Sequence, residues 1–249
     1  GVDGDSRLHQ VLVAFFTGLG LYNAIELVGM VFLTFRKYKG TYFWSLLVAA
    51  FGIVCASLCN ILKTLDIFNT GDGEYVPLVL GTVGWWTMVT GQAFVLWSRL
   101  HLVLQGPRSD QVLQWTKRMI IFNAIMLFVP TTTLTWTANR QGAHNHNFTA
   151  AYAVMEKIQM SGFYLQETIL SCIYIWEATK ILRTSRWRAT YRILKQLILI
   201  NAVIIAMDLG VLLLEATSRH ILQVLVKNLI YSIKLKLEFA ILGKLVRCV

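Results

Sequence analysis

Proline is rare in this chain, 3 in 249 residues, and acids number 13 against 23 lysines and arginines. Scarce proline combined with 56% hydrophobic residues excludes a disordered polymer. The same content, with a mean hydropathy of +0.57, excludes an ordinary soluble domain. Cysteine offers no framework either. Cys55, Cys59, Cys172 and Cys248 fall in apolar stretches or the tail, none in an outer connection. Neither a disulfide scaffold nor a zinc spacing can be drawn, and the four read as small apolar fillers. Linkers, low-complexity runs and internal repeats are also missing, so residues 1–249 read as a single domain.

What remains is apolar sequence, in seven stretches. Residues 8–34, 42–63, 77–104, 118–136, 155–182, 193–215 and 221–246 each match the ~20 residues that cross a hydrocarbon core as a helix. The expected fold class is all-α, a polytopic membrane protein built as a seven-transmembrane helix bundle with short connections. So little chain is left over that no soluble catalytic domain is expected, and any chemistry belongs inside the bundle or at its rims. The first stretch does not read as a cleavable signal peptide. Asp3 and Asp5 precede it where basic residues would stand, and Glu26 interrupts it.

The net charge of +10 resembles a nucleic-acid signal, but its sources exclude that partner. Arg36, Lys37 and Lys39, then Arg108, Lys117 and Arg118, then Lys180, Arg183, Arg186, Arg188 and Arg192, then Lys244 and Arg247 share one side of alternating spans. Asp3, Asp5, Asp66, Asp72 and Glu74 share the other. The positive-inside rule puts the N-terminus outside or in the lumen and the C-terminus in the cytosol. The basic rim then faces anionic headgroups, and the lipid bilayer is the expected partner. The sequon Asn147-Phe148-Thr149 falls in an outer connection, in accord with this orientation and with the endoplasmic reticulum. Trp44, Trp85, Trp86, Trp136 and Trp187 near span ends read as interfacial anchors. His144 and His146 alternate in a polar loop with no carboxylate beside them, so no metal is expected there.

Polar groups inside the spans cluster on helix faces. Lys227, Tyr231, Lys234 and Glu238 are spaced four, three and four, one stripe of a helix; Asn201, Asp208 and Glu215 are spaced by sevens. At 1.5 Å per residue, Glu167 and Lys234 come out near the midplane with Gln92 close by, and Asp208 about four residues further outward. Glu26 and Glu238 fall in the cytoplasmic half, Asn23, Asn123 and Asn201 at intermediate depth, and Glu215 and Lys227 in the outer leaflet. Arg99 lies near the inner rim, where it snorkels or pairs.

Two readings of this set stand side by side. In one, the groups satisfy one another across helix contacts, Lys234 with Glu238 and Asp208 with Lys227 or Lys234, and fix helix rotation. In the other, Glu26, Glu167, Asp208, Glu215 and Glu238 outnumber the midplane cations, and a neutral carboxyl in an aromatic-rich cavity serves as a proton donor. Tyr22, Trp85, Trp86, Phe163, Tyr164, Tyr174 and Tyr231 can face that interior, where π-faces stabilise a carbocation.

The stretches Asn23-Ala24-Ile25-Glu26-Leu27, Tyr38-Lys39-Gly40-Thr41-Tyr42-Phe43-Trp44-Ser45, Trp97-Ser98-Arg99-Leu100-His101 and Tyr231-Ser232-Ile233-Lys234-Leu235-Lys236-Leu237-Glu238-Phe239 resemble a fungal group of small seven-span membrane proteins. That group is similar to the membrane-bound meroterpenoid cyclases of the macrophorin and ascofuranone type. The resemblance implies a terpene cyclase, an isomerase of secondary metabolism. It would close a prenylated aromatic or quinol, or its epoxide, by acid initiation without a cofactor. Asp208 and Glu167 are then the expected proton donors, followed by Glu26 and Glu238. Gln92, Asn23, Asn123, Tyr231, Lys234, Trp85 and Tyr174 would hold the isoprenoid substrate. The Asn-x-x-Trp-Glu run of the paxilline- and pyripyropene-type cyclases is absent, since Ile61-Leu62-Lys63 follows Asn60.

A heptahelical receptor is the alternative, matched in span number and orientation. The third span ends Trp97-Ser98-Arg99-Leu100 rather than Asp-Arg-Tyr, and the seventh lacks Asn-Pro-x-x-Tyr. A retinal protein would use Lys234 or Lys227 as Schiff base, yet the third span has no carboxylate counter-ion. Transport finds no support in a repeat or a broken span.

Overall fold

The computed structural model describes residues 2–35, 40–64, 75–104, 106–140, 146–184, 188–216 and 220–246. These form seven α-helices: α1 (Val2–Thr34), α2 (Thr41–Thr64), α3 (Tyr75–Val103), α4 (Ser109–Arg140), α5 (His146–Thr184), α6 (Arg188–Ala216) and α7 (His220–Val246). The protein is all-helical, and five helices are long and apolar enough to cross a membrane, over Val11–Thr34, Thr41–Thr64, Tyr75–His101, Ser109–Thr137 and Leu194–Leu214.

The helices overrun the apolar stretches, most clearly in α4 and α5, which begin nine residues before residues 118 and 155. Hydropathy marks only the part of a helix that sits in hydrocarbon. The backbone hydrogen-bond ladder continues through polar residues until something stops it. At 39 residues, α5 is ~58 Å long, well beyond the ~30 Å of a hydrocarbon core. Pro130 lies inside α4 without ending it. Thr131 and Thr135 donate to carbonyls four residues back, and the Thr133 hydroxyl donates to the Pro130 carbonyl. Gly106 carries the turn from α3 to α4 at φ 131°, a region that favours glycine.

Two compact units divide the chain. Unit 1 comprises residues 1–95 and 218–243, hence α1, α2, most of α3 and α7; unit 2 comprises 96–217 and 244–249, hence the end of α3 with α4, α5 and α6. In unit 1, α1 packs on α2; in unit 2, α5 packs on both α4 and α6.

The burial pattern is inverted relative to a soluble protein. Phe15, Phe51, Phe122, Ile125, Leu199 and Leu213 are exposed, while Arg99, Glu167, Asp208, Lys227, Lys234 and Glu238 are buried. Apolar surface turned outward over long helices is what a bilayer demands, and with the five spanning-length helices it makes this a membrane-embedded protein.

Candidate functional site

Each unit holds its own polar cluster. In unit 1, α7 presents two stripes. The second consists of Asn228, Ser232 and Lys236, at spacings of four, and it meets α1 and α2. The Asn228 amide donates to Ser57 Oγ at 2.7 Å. The Asn23 amide donates to Ser232 Oγ at 3.1 Å, and that hydroxyl donates back to the Leu229 carbonyl at 2.7 Å. The Lys236 ammonium donates to Asn23 Oδ1 at 2.7 Å and forms an ion pair with Glu26. Gly20 lets α1 approach here, since a Cβ there would lie 3.2 Å from the Asn228 amide nitrogen.

The stripe read from the sequence lies on the neighbouring face of α7. Lys227, Tyr231 and Glu238 are buried, and Lys234 is 0% exposed. The Tyr231 ring meets Trp85 edge-on at 6.0 Å. Lys227 stands 5.7 Å from the centre of the Trp85 ring and Lys234 4.8 Å from that of Tyr231. Two ammonium groups thus flank one pair of rings. Gln92, seven residues along α3 from Trp85, is buried with its amide nitrogen lacking a hydrogen-bond acceptor among the described residues. The Tyr42 hydroxyl donates to the Glu238 carbonyl at 3.1 Å, tying α2 to α7.

In unit 2 the face of α5 turned inward runs through Gln159, Phe163, Gln166, Glu167, Ser171 and Tyr174, all buried. Their spacing of three and four is one helical stripe. Phe163 packs on Phe128 of α4 at 4.9 Å, and the Asn123 amide of α4 donates to Gln166 Oε1 at 2.8 Å. From α6 come Asn201 and Asp208, both buried as their spacing of seven requires. Arg99 is only 2% exposed; it donates to Asn201 Oδ1 at 2.9 Å and lies 4.9 Å over the Tyr174 ring. Asn201 in turn donates to the Leu197 carbonyl at 3.0 Å.

The expected site residues therefore fall into two sets. Asn23, Glu26, Trp85, Gln92, Tyr231, Lys234 and Glu238 belong to unit 1; Asn123, Glu167, Tyr174 and Asp208 belong to unit 2. Two expectations change. Glu26 is ion-paired with Lys236 at the surface of unit 1 rather than held among the buried carboxylates. Tyr22 is 62% exposed, with Lys236 5.4 Å from its ring centre, and so does not line an interior. Of the two arrangements open to Arg99, it pairs, buried against Asn201 and Tyr174, rather than snorkelling. Of the aromatic faces assigned to a carbocation, those of Trp85, Tyr174 and Tyr231 already hold the protein's own cations, while Phe163 faces Phe128.

Reasoning from sequence missed Lys236, Asn228, Ser232, Ser57 and Gln166. The four-residue spacing 228, 232, 236 was the available signal, one position away from the stripe that was read. Among the described residues, no three His, Cys, Asp or Glu side chains are grouped to hold a metal. His144 lies outside the described residues, as do the side chains of His146, Asn147 and Glu215.

No curated protein sequence matches this chain. The family model described as "Domain of unknown function (DUF7703)" matches residues 4–249, and the chain belongs to that family.

Proposed function

We propose that this protein is a membrane-embedded terpene or meroterpenoid cyclase, with Glu167 of unit 2 as the proton donor. The observation that carries this reading is a buried carboxyl one turn along α5 from the Phe163–Phe128 ring pair. Glu167 adds a proton to an alkene or epoxide of the prenyl chain, the carbocation closes a ring, and a proton leaves to a base. Asp208 is the other buried carboxyl among the described residues of unit 2 and takes that part. No atom is gained or lost overall, so the product is an isomer of the substrate. The Asn123–Gln166 amide pair orients the aromatic head, and the Phe163 and Phe128 faces stabilise the cation. Glu26, neutralised by Lys236, takes no part.

The same proposal includes seven spans, a lumenal N-terminus and a cytosolic C-terminus in the endoplasmic reticulum, supported by the basic connections. Endoglycosidase sensitivity at Asn147, lost in Asn147→Gln, tests the orientation.

The reaction is tested by expressing the full chain in a fungal host supplied with farnesylated phenols and their epoxides. A cyclised isomer of unchanged mass, lost in Glu167→Gln at equal protein level, is the expected result. No turnover by well-folded protein would sink the cyclase and turn attention to a receptor.

A further inference from the structure

Glu26 lies within the apolar segment Val11–Thr34, yet its side chain is 40% exposed and that of its partner Lys236 is 25% exposed. An ammonium has three N–H donors and a carboxylate about four acceptor sites. Lys236 spends two donors on Asn23 and Glu26, so the pair reaches the outer face of unit 1 with hydrogen-bonding capacity left over. Lipid tails offer nothing to meet it, and ionisable groups at this depth normally face protein or water. The surrounding α1 face carries Phe15, Tyr22, Ile25 and Phe32, all exposed. Between them sit Gly18 and Gly29, where an added Cβ would meet nothing within 4 Å, so a neighbouring helix can come close.

We infer that this face of α1 and α7 docks a second copy of the same chain. The charge pattern favours that occupant. Each copy offers one cation beside one anion, and a two-fold axis sets Lys236 of one copy against Glu26 of the other. A phosphate headgroup would match Lys236 but oppose Glu26. The inference is independent of the reaction proposed for unit 2.

The test uses the full chain in native membranes with Cys172→Ser and Cys248→Ser, adding Ile25→Cys on this face or Ile125→Cys on the exposed face of α4. Oxidative crosslinking should give at least ten-fold more dimer from Ile25→Cys. Equal yields, or wild-type protein that photobleaches in single steps, would overturn the inference and leave the face to lipid. A second measurement reads the charges. Differently tagged Glu26→Lys and Lys236→Glu chains, co-expressed, should pair with each other at least ten-fold more than with themselves. Random pairing would reject the two-fold contact.

Discussion

In unit 1, α2 and α3 meet backbone to backbone. A Cβ at Gly84 would lie 2.7 Å from the amide nitrogen of Ala56, and one at Gly91 would lie 2.7 Å from that of Ala49. In unit 2 the glycine at a helix contact, Gly162, faces only the tip of Leu127, at 2.8 Å. The charges differ as well. Unit 1 buries Lys227, Lys234 and Glu238 and keeps its Lys236–Glu26 pair at the surface; unit 2 buries Glu167 and Asp208 with Arg99. Among the described residues, unit 1 thus has the closer helix contact and buries two cations with one acid, whereas unit 2 meets through side chains and buries two acids with one cation. The α2–α3 contact of unit 1 therefore has no room for an added methyl, whereas the Gly162 contact of unit 2 can take one by moving a leucine tip.

The largest test of this contrast is a single methyl group. Gly91→Ala must force α2 and α3 apart, and overpacking of this kind costs ~1–3 kcal/mol. In Gly162→Ala, Leu127 rotates away, and the ~1 kcal/mol gained in helix propensity offsets the disturbance. Thermal melting of the detergent-solubilised chain should show a clear loss for Gly91→Ala and almost none for Gly162→Ala. Equal losses would remove the distinction between the units.

Comparable in size is the effect of Arg99→Leu. It deprives Asn201 of a charge-assisted bond and uncovers the Tyr174 ring inside unit 2, at ~1.5–3 kcal/mol. Arg99→Lys should recover part of this, because lysine keeps the charge but not the guanidinium plane. Melting of the two variants side by side checks the order; full recovery by lysine would show that the planar stacking contributes nothing.

A smaller effect is expected at the surface pair of unit 1. Lys236→Met leaves Glu26 exposed at bilayer depth, and Glu26→Gln in the same chain should restore much of the loss. The coupling expected for contacting charges is ~0.5–3 kcal/mol, readable from a double-mutant cycle. Additive single losses would mean that the two side chains do not act as a pair.

These contrasts also mark how far the sequence could be read. The helices follow from apolar runs of spanning length, and the shared face of Asn201 and Asp208 follows from their spacing of seven. Periodicity says which residues stand together on a helix; it does not say which way that face turns. Glu26 and Asn23 are three apart on α1, yet Asn23 is buried and Glu26 reaches the surface. Nor does distance from a span's middle fix burial, as Arg99 shows: near the helix end, it is covered because Tyr174 and Asn201 reach it. The division of eleven expected site residues between two units depends on contacts far apart in sequence, such as Asn23 with Ser232, and no local pattern contains them.

The smallest expected effect separates geometry from hydrogen bonding within unit 1. Asn228→Ala removes the bond to Ser57, and interhelical polar contacts of this kind contribute ~0.6 kcal/mol in membranes. Gly20→Ala in the wild-type chain sets a methyl 3.2 Å from the Asn228 amide nitrogen, so that side chain must shift. With Asn228→Ala already present, the obstruction is gone and the methyl fills the vacated volume. The same methyl should therefore be more favourable in the Asn228→Ala background than in the wild-type chain, read as the difference between the two melting shifts. If Gly20→Ala shifts both backgrounds equally, Asn228 is not what holds α1 at its distance from α7, and the close approach has its origin in the Lys236–Asn23–Glu26 cluster one to two turns further along.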